Sequence, residues 1–407
     1  MRLQQHVLQS RAMNRRWIGA VIVLGSLALV LKCLLAWNTL GTNDMSTWAN
    51  FARVAAGLGP AHLYDGPVQE QYSYYRVSIF NHPPLMALSI RWLFSVAQST
   101  GIPFRVLFRV IVSLADAGTL LFVCLAVRRG HLHASPLVIC ALAACPTSIM
   151  IAGFHGNSDP IMVFFLVASV YALECWGSVL LCGLLLGLAF EIKVVPVLLI
   201  PALLLYLPTW RNRVVCMTGF LFTAIPPFIP FVESIGKVLK NLFGYDSISG
   251  HWGSTYLWAV LHFHKFVWFE KLEKGFTIAV ILAASAMMNA QRRRVPLHIQ
   301  WGVLLFLFMF LTPGFGIQYL VWLVPWVAAV GVIPALTHYA LSGSFVFLVY
   351  TYWSRGLPWY FANSYVMGDW HGWMHIFQLL AWLSALPVLW SYWRMLVSGA
   401  ATGTKRD

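Results

Sequence analysis

The sequence predicts an all-helical, polytopic integral membrane protein of about twelve transmembrane helices, with amphipathic helices in its first outer loop. Three observations predict it. Apolar residues make up 59% of the 407 and charged residues only 10%, where soluble domains average about 45–50% and about 25%. Apolar runs near the roughly 20 residues that cross a bilayer recur from end to end. The period-two alternation of a membrane barrel is absent.

The chain reads as a single integral-membrane domain over 1–407, with a cytoplasmic tail at 1–16, a first outer loop at 38–83 and the remaining bundle at 84–397. The first apolar run, Trp17 to Trp37, is longer than a signal-peptide core and lacks a small-residue cleavage site, so a retained span is expected. Further apolar segments fall at 84–99, 104–127, 135–152, 159–176, 178–192, 194–208, 214–232, 275–290, 297–312, 319–336, 340–353 and 374–397.

The net charge of +14 is concentrated at segment ends, in Arg11, Arg15, Arg16, Arg128, Arg129, Arg211, Arg213, Arg292 to Arg294, Lys405 and Arg406. Basic residues in that arrangement mark the cytoplasmic side and carry no nucleic-acid reading. With the N-terminus inside, residues 38–83, 153–158, 233–274, 313–318 and 354–373 face outside. One parity conflict follows. Holding Arg128 and Arg129 inside requires that one segment between 84 and 152 not span fully: 84–99 is short, and 135–152 contains Pro146. The seven cysteines lie in or beside apolar segments without a Cys-x-x-Cys pair, so neither a disulfide framework nor a thiolate metal site is indicated.

Within the first loop, Trp48, Phe51, Ala52, Ala55 and Leu58 share one face of a helix over Ser46 to Leu58. Asn43, Asp44 or Ser46 would serve as its N-cap, and the helix would lie on the membrane surface. A second short helix is expected from Pro67 to Val77, with turns at Gly59-Pro60 and Asp65-Gly66.

Four polar clusters fall on the assigned outer side. They are Asp44 with Asp65, Arg76 and His82; His155-Gly156-Asn157-Ser158-Asp159; Glu191-Ile192-Lys193 ahead of Pro196; and Gly314 to Tyr319, which holds Gln318. Tyr245, Asp246, His251 and Trp252 add polar surface from a later loop. Ionisable groups at membrane depth are costly and usually face a cavity or a partner, so four such clusters on one side imply a polar cavity. Each also has a plainer reading: Asp44 as a helix cap, Pro83-Pro84 as a helix start, 155–159 as a polar turn, Lys193 as a snorkelling cation. Lys32 either snorkels or faces the bundle, and Asp116 is expected to pair with Arg109 on its own helix.

A lipid-linked sugar phosphate would need a cation for its phosphate, a carboxylate to deprotonate an incoming hydroxyl, and an apolar groove for its tail. Lys193 or Arg76 could neutralise the phosphate. Asp44 suits a general base, a role that typically contributes about 10²–10⁴-fold. His155 could donate to the leaving phosphate, while Gln318 and Tyr319 could contact the sugar or pyrophosphate. His82, Asn157, Asp159 and Tyr245 complete the expected substrate-binding set.

Asp44 after the first helix, Asn81-His82-Pro83-Pro84-Leu85, Phe154-His155-Gly156-Asn157, Ala189-Phe190-Glu191-Ile192-Lys193 with Pro196, and Gly316-Ile317-Gln318-Tyr319 together resemble the GT-C glycosyltransferase superfamily. The likeness, carried by order and spacing over about residues 15 to 335, extends to dolichyl-phosphate-glucose-dependent glucosyltransferases and to bacterial multi-span mannosyl- and arabinosyltransferases. The resemblance implies a GT-C-like bundle, Asp44 as the base of an inverting transfer, and His155 and Lys193 near the donor phosphate. The chain departs in having His82 where the eukaryotic enzymes have Tyr, and Asn157-Ser158-Asp159 where they have His-Phe-Gln. Some GT-C members use a divalent cation such as Mg or Mn; Asp44 with Asp159 could form such a site here, but no tight Asp-x-Asp motif is present.

The expectation is therefore a glycosyltransferase that moves a hexose or pentose from a polyprenyl-phosphate donor to an envelope lipid or glycan. Its site would lie on the non-cytoplasmic face, in a bacterial inner membrane. The alternative is a transporter or flippase for a lipid-linked or small polar substrate, which broken helices and midplane charges would also suit.

Overall fold

The computed structural model describes residues 15–69, 77–244, 248–260, 267–291 and 294–398. The predicted helix at 67–77 is corrected there. Val68–Gln69 (β2) and Val77–Ser78 (β3) pair antiparallel, leaving 70–76 outside the described residues. β-branched valines at both positions favour the strand.

The first span is α1, Arg15–Asn38. It leaves Ile22, Val23, Leu27, Val30 and Leu34 exposed, as a helix does against lipid. The strand Gly41–Thr42 (β1) then leads into α2, Asn43–Gly57. α2 begins before the expected Ser46, and its N-cap is Thr42 without a side-chain cap bond. Trp48, Phe51, Ala52 and Ala55 are buried, as the predicted face requires, while Leu58 beyond the helix end is exposed. α2 packs on α3, Pro84–Thr100.

α4, Phe104–Arg128, is a full-length span. The segment after it is irregular in the way Pro146 predicts. α5, Pro136–Ala143, ends, Cys145 turns extended ahead of the proline, α6 covers only Pro146–Met150, and a π-helical turn follows over Ile151–His155. Proline has no N–H to donate and pushes its predecessor out of helical backbone. Of the two segments in the parity conflict, Pro136–His155 reaches span length and Pro84–Thr100, with 17 residues, falls short of it.

α7 (Asp159–Trp176) and α8 (Val179–Ile192) form a hairpin, and α8 packs closely on α10 (Trp210–Ala224), which follows the short α9 (Ile200–Tyr206). Gly183 and Gly187, one turn apart, let the α8–α10 backbones touch. A Cβ on Gly183 would sit 2.0 Å from the Cys216 carbonyl oxygen, and one on Gly187 2.5 Å from that of Phe220. Small residues at that spacing are how helices approach in a membrane, where apolar burial gives little drive.

The predicted segment 214–232 is a helix pair bent by 54°, α10 and the stretch Pro226–Phe243, whose regular helical end is α11 (Ile235–Phe243). After α12 (Gly253–Val260), α13 (Val267–Ala290) and α14 (Leu297–Leu311), the predicted span 319–336 is instead two 3₁₀ turns, Ile317–Leu323 and Trp326–Ala329, either side of Pro325. α15, Val332–Trp353, extends the predicted 340–353, and α16 (Ser364–Met367), α17 (Met374–Leu383) and α18 (Ala385–Ser398) close the described chain. Among the described residues, seven helices are long and apolar enough to cross a membrane, or eight if the bent pair is one span.

The five segments predicted to face outside meet at one end of the bundle. β1 pairs with Phe361–Ala362 (β6), and Ile248–Ser249 (β4) pairs with Gly314–Phe315 (β5). Lys237 reaches Asp65 at 2.8 Å, and Asn241 donates to the Phe80 carbonyl. The opposite end gathers Arg129 over Tyr171, Arg294 over Tyr206 and the Glu174–His298 pair.

Asp116 does not pair with Arg109. Lys32, buried in the bundle, takes Asp116, and Ser148 donates to the same carboxylate at 2.7 Å. Lys32 and Asp116 come from different spans, so the pair is invisible to the spacing within one helix. Arg109 serves the backbone instead. It donates to the carbonyls of Ala36 at 2.7 Å, Thr39 at 2.6 Å and Phe154 at 3.3 Å. One guanidinium thereby ties the end of α1 to the π-helical turn and satisfies carbonyls that helix ends leave open.

Candidate active site

Two local features aim Asp44 and His155 at each other. Gly41 adopts φ +86, and a Cβ there would come 2.7 Å from the Phe154 carbonyl oxygen, so only glycine lets β1 lie against the π-helical turn. That turn inserts an extra residue into the helix, a feature frequent at functional sites, and delivers His155 at its last position before Gly156 turns left-handed at φ +78. Thr42 then donates its hydroxyl to the His155 carbonyl at 2.9 Å.

His155 Nε2 lies 2.9 Å from Asp44 Oδ2, and Asn157 Nδ2 donates to the same oxygen at 3.0 Å. The other ring nitrogen, Nδ1, lies 2.6 Å from the Tyr350 hydroxyl. His155 is covered at 3% exposure, while Asp44 keeps 31% and so presents an edge outward. Burial pushes the Asp44 carboxyl up, but the His155 charge and hydrogen bond, Asn157 and the charge of Lys193 outweigh it and hold it below its ordinary value.

The second half of the site is built at the break between α8 and the next turn. Lys193 is extended there, with Pro196 behind it. Its Nζ lies 2.7 Å from Asp159 Oδ1 and sits 4.3 Å from the Tyr319 ring centre and 5.0 Å from that of Trp322. Trp322 Nε1 donates to Asp159 Oδ1 at 2.6 Å. Asp159 is fully buried in the first turn of α7, where a carboxylate also meets the positive end of the helix.

His82 bridges the halves. It donates through Nδ1 to the Ile192 carbonyl at 3.0 Å, and its ring lies 4.6 Å from that of Trp48. Its own carbonyl accepts from the Tyr64 hydroxyl at 2.8 Å. Burial and the charge of Lys193 push the imidazole down to about 4, so it is neutral near pH 7. Glu191 accepts from the Leu85 backbone N–H at 2.9 Å, fixing the start of α3 behind Pro83-Pro84.

Asp44, His82, His155, Asn157, Asp159, Lys193 and Tyr319 therefore converge. Gln318 is half-buried and folds back over Gly316. Arg76 and Tyr245 lie outside the described residues. Tyr350 and Trp322 hold the site together although neither stood among its predicted members, and Glu191, named in the third polar cluster, had no role assigned to it. Glu191 had a signal, a carboxylate between apolar halves; the two aromatics had none.

Of the two carboxylates proposed for a divalent cation, one oxygen each is engaged, while Asp159 Oδ2 is buried without a partner and Asp44 Oδ1 has only a long contact from Asn43. Asp44 Oδ2 is taken by His155 and Asn157, and Asp159 Oδ1 by an ammonium and an indole. Among the described residues no three His, Cys, Asp or Glu side chains are grouped to hold a metal ion. What the arrangement offers is a carboxylate held ionised at a partly open edge, near an ammonium.

The family model described as "Glycosyltransferase family 87" matches residues 80–313, more than half of the chain. That stretch holds His82, His155, Asn157, Asp159 and Lys193; Asp44, Gln318, Tyr319 and Tyr350 lie outside it. No curated protein matches the chain. Among solved structures, the chain is similar to ArnT from Cupriavidus metallidurans, determined bound to undecaprenyl phosphate. The two are 14% identical, with 94% of this chain and 78% of that one covered at a TM-score of 0.49.

Proposed function

Because the chain belongs to glycosyltransferase family 87, we propose that it transfers a hexose or pentose from a polyprenyl-phosphate donor to a hydroxyl of an envelope lipid or glycan. The transfer inverts the anomeric centre and takes place on the non-cytoplasmic face. Family membership bears out the glycosyltransferase expectation and sets the transporter reading aside.

The observation that carries the proposal is the meeting of Asp44, His155 and Lys193 at the end of the bundle where the predicted outer segments gather. Asp44 takes the proton of the acceptor hydroxyl as its oxygen bonds to the anomeric carbon. The bond from that carbon to the phosphate oxygen breaks, and the lipid phosphate leaves with the electron pair. Lys193 meets the charge that develops there. Both nitrogens of His155 are engaged, by Asp44 and Tyr350, so we place His155 behind the base, not on the leaving phosphate.

A lipid-linked donor is supported by a cleft of about 540 Å³ lined by Leu31, Leu34, Leu35, Leu357, Pro358 and Trp359. Several of these side chains are exposed on the apolar flank of the bundle, and the Trp359 ring lies 5.0 Å from that of Phe154, next to His155. The test supplies the purified protein in liposomes with radiolabelled polyprenyl-phosphate sugars or with nucleotide sugars. Label passing to an extractable lipid or glycan from the prenyl donors alone supports the proposal. Transfer from nucleotide sugars alone overturns it.

A further inference from the structure

We infer that Tyr350 is a positioning residue that holds the His155 ring at Nδ1 and so supports the proton that Asp44 demands at Nε2. The inference rests on the reading of Asp44 as the base.

Tyr350 comes from the C-terminal half of α15 and is fully buried. Its ring is held by Phe154 at 5.5 Å, by Trp359 at 5.9 Å and 87°, and by Trp353 at 6.1 Å. The hydroxyl therefore has little freedom, and it lies 2.6 Å from His155 Nδ1.

A phenol has one proton to give. A neutral His155 that accepts it at Nδ1 must carry its own proton at Nε2, which points at Asp44 Oδ2 at 2.9 Å. The other tautomer would set the Nε2 lone pair against a carboxylate oxygen and Nδ1–H against a phenol forced to turn its proton away. If His155 is protonated, both ring nitrogens donate and the phenol oxygen accepts. In either state Nε2–H faces Asp44.

The consequence falls on which Asp44 oxygen can work. Oδ2 is occupied by His155 and Asn157, whereas Oδ1 has Asn43 Nδ2 at 3.4 Å, beyond a good hydrogen bond. Oδ1 is then the lone pair left for an acceptor hydroxyl. The other groups facing the pair are Lys193, whose charge reaches Asp44, and His82, on which Asp44, Asp159 and Lys193 all act. Arg109 acts from behind through the Phe154 carbonyl, and Thr42 through that of His155. None of them bonds His155 Nδ1, so the Asp44 carboxylate demands the proton at Nε2 and Tyr350 alone among these groups meets the Nδ1 lone pair that this tautomer leaves.

The test compares Tyr350→Phe, His155→Gln, the double variant and Asp44→Asn with the full-length wild type in liposomes, measuring kcat, KM and the pH profile of transfer. Tyr350→Phe keeps the ring packing and removes the one donor. We expect kcat to fall on the order of 10-fold, as for loss of one buried network hydrogen bond. KM should stay within about twofold, and the acid limb of the profile should move up by as much as roughly one pH unit as the His155 ring, unheld at Nδ1, becomes a less fixed donor to Asp44. The amide of His155→Gln has no Nδ1 to hold, so adding Tyr350→Phe should cost it less than twofold.

A Tyr350→Phe profile that overlays the wild type overturns the inference, as do additive losses in the double variant. A Tyr350→Phe protein that fails to fold overturns it too, by assigning the hydroxyl to the scaffold. Transfer that persists in Asp44→Asn removes the reading of Asp44 itself. Inactive Asp44→Asn beside an unaltered Tyr350→Phe removes only the positioning role.

Discussion

Lys193 Nζ lies 2.7 Å from Asp159 Oδ1, joining the break after α8 to the first turn of α7. Asp159 is fully buried and Lys193 16% exposed, so the pair is both a structural closure and a source of positive charge near Asp44. These two roles can be separated.

Lys193→Met leaves Asp159 charged and unpaired, and breaking a buried pair in this way typically costs about 3–5 kcal/mol. The Tm should drop and transfer should be lost. Adding Asp159→Asn removes the stranded charge and still offers Trp322 an acceptor. The double variant is therefore expected to regain most of the Tm and none of the transfer. Thermal melts and transfer assays on the same three proteins check this, and recovered transfer would release Lys193 from the donor phosphate.

His82 sets a pH dependence of stability. Its pKa falls from 6.5 to about 4 on folding, so the unfolded chain binds a proton more readily than the folded one. The stabilisation is complete above pH 6.5 and is lost as pH falls from there through about 4. Melts across that window should show Tm falling with acidification, and His82→Gln should flatten that part of the curve. An unchanged slope in the variant would mean another group titrates there.

The α8–α10 contact depends on glycine. A Cβ on Gly183 would fall 2.0 Å from a backbone oxygen with no room to yield, whereas one on Gly57, at the end of α2, meets nothing within 4 Å. Gly183→Ala is expected to lower stability by about 1–3 kcal/mol or more, the usual cost of overpacking. Gly57→Ala should be neutral or slightly stabilising. Equal melting of the two variants would contradict the close helix contact.

The residues legible in the sequence were those that cost most to place. Asp44, His155, Asp159 and Lys193 stand out because an ionisable group beside apolar segments needs a partner or a cavity, and the structure gives each one. Pro146 likewise announced its broken helix, since the missing N–H acts locally. Tyr350 and Trp322 left no such mark, because an aromatic in a span costs nothing and is common there. The partner of Asp116 was misjudged for a related reason: spacing along one helix favoured Arg109, while Lys32 arrives from another span. The hairpin at Val68 and Val77 depends on pairing across the loop, which helical periodicity cannot report. The 3₁₀ turns at 317–329 read as a span because hydropathy registers burial in protein and burial in lipid alike.

The most direct test of the account is transfer from a radiolabelled polyprenyl-phosphate sugar by wild-type and Asp44→Asn protein in liposomes. Both proteins must melt alike and still bind the donor. The substitution keeps the shape and removes the base, so transfer should fall by about 10²–10⁴-fold with the KM for donor little changed. Transfer at the wild-type rate in Asp44→Asn would contradict the account and move the base elsewhere.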